Sequence, residues 1–242
     1  MELNKNKMQV EIWSDIMCPF CYIGKRKFER ALEGFSNKDN IEVVWKSYQL
    51  APDMETTPGK TIHQYLSERK GVSIDEAKRM NDYVTDMAAK TGLVYNFDKA
   101  VVANSFNAHR LIHLAGEHGK QSEVKEKLLA AYFTEGKNVD DIDILIKIGT
   151  EAGLNTNEVK AALTGDTYAN EVRNDIDEAN QLGVNGVPFF VFNRKYAISG
   201  AQETQSFTQA LETSFTDWKK INAIMELEAT GGPVCTPDGE CK

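Results

Sequence analysis

The sequence predicts an α/β fold in which a small β-sheet domain is interrupted by a large all-helical insertion. Three observations lead there. A strand-like run at residues 10–14 feeds directly into Cys18-Pro19-Phe20-Cys21 and a helical run over residues 22–32. From Pro58 to about Gly165 the apolar residues follow helical spacing,. Strand character then returns at residues 187–192 and 196–199, near the end of the chain. The 242 residues exceed a common domain of about 100–150, and an interrupted domain accommodates them,.

Each element has a local reason. Val10, Ile12 and Trp13 are β-branched or aromatic and open the sheet,. Pro19 suits the first helical position, where no N–H is needed. Residues 41–50 hold Ile41, Val43, Val44, Trp45 and Tyr48, enough for a second strand,. Five or six short helices are expected over 58–165. Ser73-x-x-Glu76 is a capping box before residues 77–89, and Gly71, Gly92, Gly119, Gly136 and Gly153 break helix from helix,. Asn193-Arg194-Lys195 is the turn between the two late strands, and a last helix covers residues 204–227,. The expected organisation is a discontinuous sheet domain (7–57 with 166–228), a helical insertion (58–165) and a tail (229–242) with a second cysteine pair.

Cys18 and Cys21 are the candidate reactive groups. A thiolate is the reactive form of cysteine, and a thiol at a helix start meets free N–H groups and the positive end of the dipole, so its pKa falls. Lowering Cys18 from about 8.5 to about 5.5 takes roughly 4 kcal/mol, whereas a helix terminus supplies about 0.3–2 kcal/mol. Direct N–H···S hydrogen bonds must then supply the remainder. Cys21, one turn further in, is expected to be shielded, to keep a higher pKa and to resolve the mixed disulfide that Cys18 forms. This chemistry calls for no metal and no bound cofactor, since the redox-active disulfide itself turns over.

Composition sets the surroundings. Hydrophobic residues are 41% and charged residues 26%, ordinary for a core-forming protein,. The net charge of −8 argues against nucleic-acid and anionic-membrane surfaces as partners,. Lysines near Met1 are not followed by an apolar stretch of signal-peptide length, and no run reaches the roughly 18 apolar residues of a membrane span,. A cytoplasmic setting is the expectation, where a disulfide is more often catalytic than structural. Either a monomer or a homodimer is compatible with these features.

Four separated motifs carry a family resemblance. They are Ser14-Asp15-Ile16-Met17-Cys18-Pro19-Phe20-Cys21-Tyr22-Ile23-Gly24, Asn107-Ala108-His109-Arg110-Leu111, Gly186-Val187-Pro188-Phe189-Phe190-Val191-Phe192 and Ile198-Ser199-Gly200-Ala201-Gln202. In this order, over roughly residues 8–225, the chain resembles the FrnE-type branch of the DsbA family of thiol–disulfide oxidoreductases. The resemblance implies a thioredoxin-like, DsbA-like fold with Cys18 as nucleophile, Cys21 as resolving thiol and Val187-Pro188 as a cis-proline loop beside them. The X-Pro bond alone makes cis inexpensive, at about 0.5–1 kcal/mol. Such a turn would offer the Val187 backbone to an extended substrate segment.

Pro19, Phe20, Val187, Pro188 and His109 are then the expected substrate-binding residues. The implied partners are protein or small-molecule thiols and disulfides, with glutathione as a co-substrate. Phe20 stands where strongly oxidising DsbA proteins carry His, so it adds no positive charge and argues against a strongly oxidising potential. The second functional class is a glutathione-binding transferase or isomerase of the kappa-class and hydroxychromene-carboxylate isomerase type. That class shares the insertion but uses serine where Cys18 stands, so the dithiol favours the first.

Other features admit simpler readings. Cys18 and Cys21 with Cys235 and Cys241 could form a zinc site, but five residues separate the latter pair, wider than the usual two to four,. His109, His113 and Glu117 share a helical face and read as a partly exposed face before a metal stripe. Trp13, Phe28, Trp45, Tyr48, Phe189, Phe190 and Phe192 read as core. Lys25-Arg26-Lys27 reads as a solvated face that adds positive charge near the thiolate. The tail's Pro237-Asp238-Gly239 is a turn that can bring Cys235 and Cys241 together as a second redox pair or as a terminal clip,. Eight residues from Leu227 to Cys235 span up to about 26–29 Å, enough to reach Cys18,.

Overall fold

Residues 7–229 of the computed structural model are described, with side chains through residue 222. They are organised around strand β1, Met8–Ser14. β1 runs parallel to β2 (Ile41–Ser47) in the register Met8 to Ile41, and antiparallel to β5 (Phe189–Phe192), which pairs in turn with β6 (Tyr196–Ser199). The sheet order is β2-β1-β5-β6.

Both faces of β1 are covered, which accounts for its almost unbroken burial,. Val10 and Ile12 share a core with Phe28 of α1 (Pro19–Glu33), Phe190, Phe192 and Phe207 of α9 (Thr204–Ala229). The rings interlock, with centroids 4.7 Å apart for Phe190 and Phe207 and 5.6 Å for Phe28 and Phe190,. Trp13 points the other way, against Ala179 of α8 (Ala169–Gln181) and Val184, and its indole N–H donates to the Asp175 carbonyl at 2.9 Å. α8 carries no local start signal: Tyr168 precedes it with φ 64° and no side-chain cap.

The insertion holds α2 (Ile62–Lys70), α3 (Ile74–Ala89), α4 (Phe106–Glu117), α5 (Gln121–Phe133), α6 (Ile142–Glu151) and α7 (Thr156–Thr164). Four of the six starts carry a side-chain cap. Thr61 and Gln64 form a reciprocal capping box, and Ser73, Asp141 and Asn155 cap α3, α6 and α7,. Gly136 marks one turn in which no other residue fits. Its φ is 69°, and a Cβ there would lie 2.6 Å from the Lys99 carbonyl oxygen,.

Two expectations need correction. The insertion is not all-helical, because β3 (Thr57–Thr61) and β4 (Val101–Val102) form an irregular antiparallel ribbon. Pro58, from which the helical spacing is counted, is at home in such an edge strand, where it has no ladder bond to donate. Nor is Lys25-Arg26-Lys27 a solvated face. Lys25 is 2% exposed and pairs with Glu29 and Glu126, Arg26 pairs with the same two carboxylates, and Lys27 reaches Glu203. These cations pin α1 to α5 on one side and to the α9 segment on the other. Glu126 also accepts from the Tyr22 hydroxyl at 2.6 Å.

Glu126→Ala removes one counter-charge from a nearly buried lysine. A stability loss of about 1–3 kcal/mol is expected, the lower end reflecting the partial exposure of Glu126, and it should read as a lower urea midpoint at unchanged slope.

Candidate active site

β1 ends at Ser14 and the chain turns through Asp15 to Cys18, the N-cap of α1, with φ −88° and ψ 111°. Pro19 takes the first helical position as expected. Both thiols are free and buried, Cys18 being 3% and Cys21 1% exposed. Their accessibility still differs in kind, because Cys18 lines a cleft of about 790 Å³ and Cys21 does not.

Opposite Cys18 lies the segment leading into β5. The Cys18 thiol donates to the Val187 carbonyl at 3.4 Å, and the Val187–Pro188 bond is cis. This close approach depends on Gly24 in the second turn of α1. A Cβ at that position would lie 2.9 Å from Pro188 Cγ and 3.5 Å from Ala201. From the insertion, the Tyr95 hydroxyl donates to the Pro19 carbonyl at 2.7 Å and holds the turn between the cysteines.

The cleft runs from Cys18 towards α2 and α3. Its walls are mainly apolar, with Met17, Met54, Ile62, Met80 and Val84 among them, and Phe20 stands 38% exposed at the mouth. Asp15 and Tyr132 also line it, and the buried Tyr132 hydroxyl has no partner among the described residues. Arg69, Lys70 and Arg79 lie at its α2–α3 end with Glu76.

Charge is concentrated behind the pair. Burial alone pushes the Asp15 carboxyl up, but His109 and the Leu50 N–H, which donates at 2.8 Å, hold it below the ordinary carboxylate range. Burial pulls His109 down, so that at neutral pH its neutral ring faces Asp15 at 3.4 Å. Cys21, pushed up by burial, is drawn below its ordinary value by the hydrogen bond from Cys18 and the charge of Lys125. Cys18 is pushed well up, first by the neighbouring Cys21 sulfur and then by burial.

That order corrects the expectation that Cys18 is the more acidic thiol of the reduced pair. The backbone N–H of Cys21 does favour a Cys18 thiolate, but the nearby Cys21 sulfur and burial outweigh it, while Lys125 favours the charge on Cys21,.

Pro19, Phe20 and Val187 line the cleft with Cys18, and Pro188 follows Val187 directly. His109 does not line it, being 1% exposed and enclosed behind Asp15. His113 turns away to Asp175 and Ser47, so the stripe of His109, His113 and Glu117 does not converge. Trp13, Phe28, Trp45, Phe190 and Phe192 are buried as expected, with Tyr48 and Phe189 partly buried. Cys235, Cys241 and the tail from residue 230 lie outside the described residues. Asp15, Tyr95, Lys125 and Tyr132 were not singled out from sequence. Lys125 left a trace there, as a lysine in the stripe of Leu128, Leu129 and Tyr132,.

Comparison with known proteins agrees with this geometry. A family model described as the DSBA-like thioredoxin domain matches residues 9–212. The uncharacterized protein YwbO of Bacillus subtilis (strain 168) is 30% identical over 213 residues, covering 84% of this chain and 96% of that one. The crystal structure of the probable DsbA oxidoreductase SCO1869 from Streptomyces coelicolor is 37% identical, with a TM-score of 0.81 over 97% of this chain and 98% of that one. The cytosolic disulfide reductase DsbM from Pseudomonas aeruginosa is 17% identical and shares the fold, with a TM-score of 0.62 over 86% of this chain and 98% of that one.

Gly24→Ala should separate α1 from the Val187 segment. Stability is expected to fall by about 1–3 kcal/mol, and alkylation of Cys18 by iodoacetamide to quicken as its cover is displaced. A second outcome concerns pH. Asp15, Glu126 and Asp175 are all held below the ordinary carboxylate range by their cationic or N–H partners, against burial. The stability they contribute is complete above the unfolded values of about 3.9–4.3 and is lost as pH falls through the depressed folded values. Urea midpoints should therefore drop between pH 7 and pH 3.

Proposed function

Because this chain belongs to the DSBA-like thioredoxin domain family, we propose that it is a thiol–disulfide oxidoreductase that exchanges disulfides through Cys18 and Cys21. The observation that carries the reading is that Cys18 alone of the two thiols opens on the cleft, beside the Val187 carbonyl.

In this reading a substrate disulfide approaches Cys18 across the cleft. The proton on Cys18 passes to Cys21, and the Cys18 sulfur attacks one substrate sulfur and expels the other as a thiolate. Cys21 passes that proton to the expelled substrate sulfur and its thiolate attacks Cys18 Sγ, releasing the second substrate sulfur as a thiolate that takes a proton from solvent. The Cys18–Cys21 disulfide forms, the substrate leaves as a dithiol, and two electrons have passed from protein to substrate. The reverse sequence oxidises a dithiol substrate. Phe20 and the apolar walls support binding of an apolar segment next to the reacting sulfur.

Within the family the four motifs support the FrnE-type branch, and Cys235 with Cys241 enter the proposal as a second dithiol, supported by the sequence alone. A glutathione transferase or isomerase would leave Cys21 without a role.

The test is exchange with insulin and with glutathione disulfide. Cys18→Ser should lower the rate by at least about two orders of magnitude, and Cys21→Ser should accumulate mixed disulfides, because the resolving sulfur is gone. Full activity in Cys18→Ser would overturn the reading.

A further inference from the structure

Lys125 is a buried charge that the exchange steps above do not use. It sits on α5 in the stripe of Leu128, Leu129 and Tyr132 and is 0% exposed. Its ammonium donates to the Ser14 carbonyl at 3.3 Å and lies 5.5 Å from the centre of the Trp45 ring. Among the described residues no carboxylate stands within 4 Å of it. An ammonium buried this way without an anion costs several kcal/mol.

The groups facing it limit what that anion can be. Asp15, Cys18 and Cys21 approach from the turn and α1, Lys25 from α1, and His109 from α4. Lys25 and His109 are bases. The Asp15 oxygens are engaged by the Leu50 N–H and by His109. Asp15 keeps its charge in either redox state, so the cysteine pair is the facing group whose charge changes when the disulfide forms. The Ser14 hydroxyl, buried with no other partner, also faces Cys21.

We propose that Lys125 is the counter-charge of the reduced dithiol, a positioning residue that holds the negative charge of the pair on Cys21 and so sets its redox potential. The inference rests on the oxidoreductase reading. Burial pulls Lys125 down to about 8, and the charges of Cys21, Asp15 and Cys18 keep it from falling further. Two of those three supports disappear when the disulfide forms.

The balance for reduction of the pair is then complete. Two molecules of a monothiol lose two electrons and two protons and leave joined by a new S–S bond. The Cys18–Cys21 bond breaks. One proton goes to Cys18 Sγ, the other to the Lys125 amine, and Cys21 remains a thiolate beside the ammonium. Lys125 thereby stabilises the reduced state over the oxidised one and makes the couple more oxidising. This charge comes from the insertion, whereas Phe20 between the cysteines supplies none.

The test is equilibration of the parent, Lys125→Met and Lys125→Arg in glutathione redox buffers, with thiolate absorbance titrated against pH. Lys125→Met should disfavour reduction at least about tenfold, roughly 30 mV, and move the thiolate titration to higher pH, while Lys125→Arg keeps most of the parental values. A lysine that only packed against Trp45 and Ser14 would stabilise both redox states alike, so a potential and titration unchanged in Lys125→Met overturn the proposal. A second measurement needs no variant. Nitrogen NMR of the buried ammonium in the parent should show its acid constant rising at least about tenfold on oxidation. Equal constants in both redox states overturn the proposal as well. A parent that never exchanges with glutathione overturns the oxidoreductase reading itself, whereas one that exchanges normally but is indifferent to Lys125 overturns this inference alone.

Discussion

The site depends on the first two turns of α1 being held from both sides. On the insertion side, Lys25 and Arg26 meet Glu126, and Tyr95 donates to the Pro19 carbonyl. On the sheet side, Gly24 lets the helix close on Pro188 until only a hydrogen atom fits between them. A helix so clamped presents Cys18 to the cleft and turns Cys21 inward.

The clamp has an electrostatic consequence. It brings Asp15, His109 and Lys125 into a volume from which water is excluded, where charges act on one another more strongly than at a surface. Lys25 of α1 is taken up by Glu29 and Glu126. The cation without a carboxylate within 4 Å among the described residues comes from α5, through the one lysine of its apolar stripe. The helical insertion is therefore more than a cover for the sheet, since it builds one wall of the cleft through α2 and α3 and furnishes a charge beneath the dithiol through α5.

A further network ties β1 to its surroundings away from the cleft. Trp13 has Lys46 and Arg194 over its ring, each 5.9 Å from the centre. Lys46 pairs with Asp175 and Glu178, and Arg194 with Glu178 and Glu11. Burial raises Glu11 despite Arg194, whereas Asp175 is held low by His113 and Lys46 against its own burial. Together these pairs fasten α8 to the central strands, which keeps the segment after it, and hence Val187, in place above Cys18.

Much of this was legible in the residues. The run of β-formers into Cys18-Pro19-Phe20-Cys21 identified strand, turn and helix, because Pro19 and the apolar spacing act locally. The glycine breaks and the caps at Ser73 act locally too. The core aromatics were legible because burial follows their area. What the sequence could not order was which thiol is the more acidic, since helix dipole and backbone N–H are local while Lys125, more than a hundred residues away in the chain, is not. For the same reason Lys25-Arg26-Lys27 read as a solvated face until α5 and the α9 segment brought carboxylates to it, and His109 read as facing the cleft until Asp15 came between. The sequence by itself determined the fold class and the place of Cys18 and Cys21 at the start of α1, through short-range propensity and spacing. Only the tertiary structure decided which charges surround that pair, because electrostatic energy depends on distance in space and on exclusion of water, and neither is set by distance along the chain.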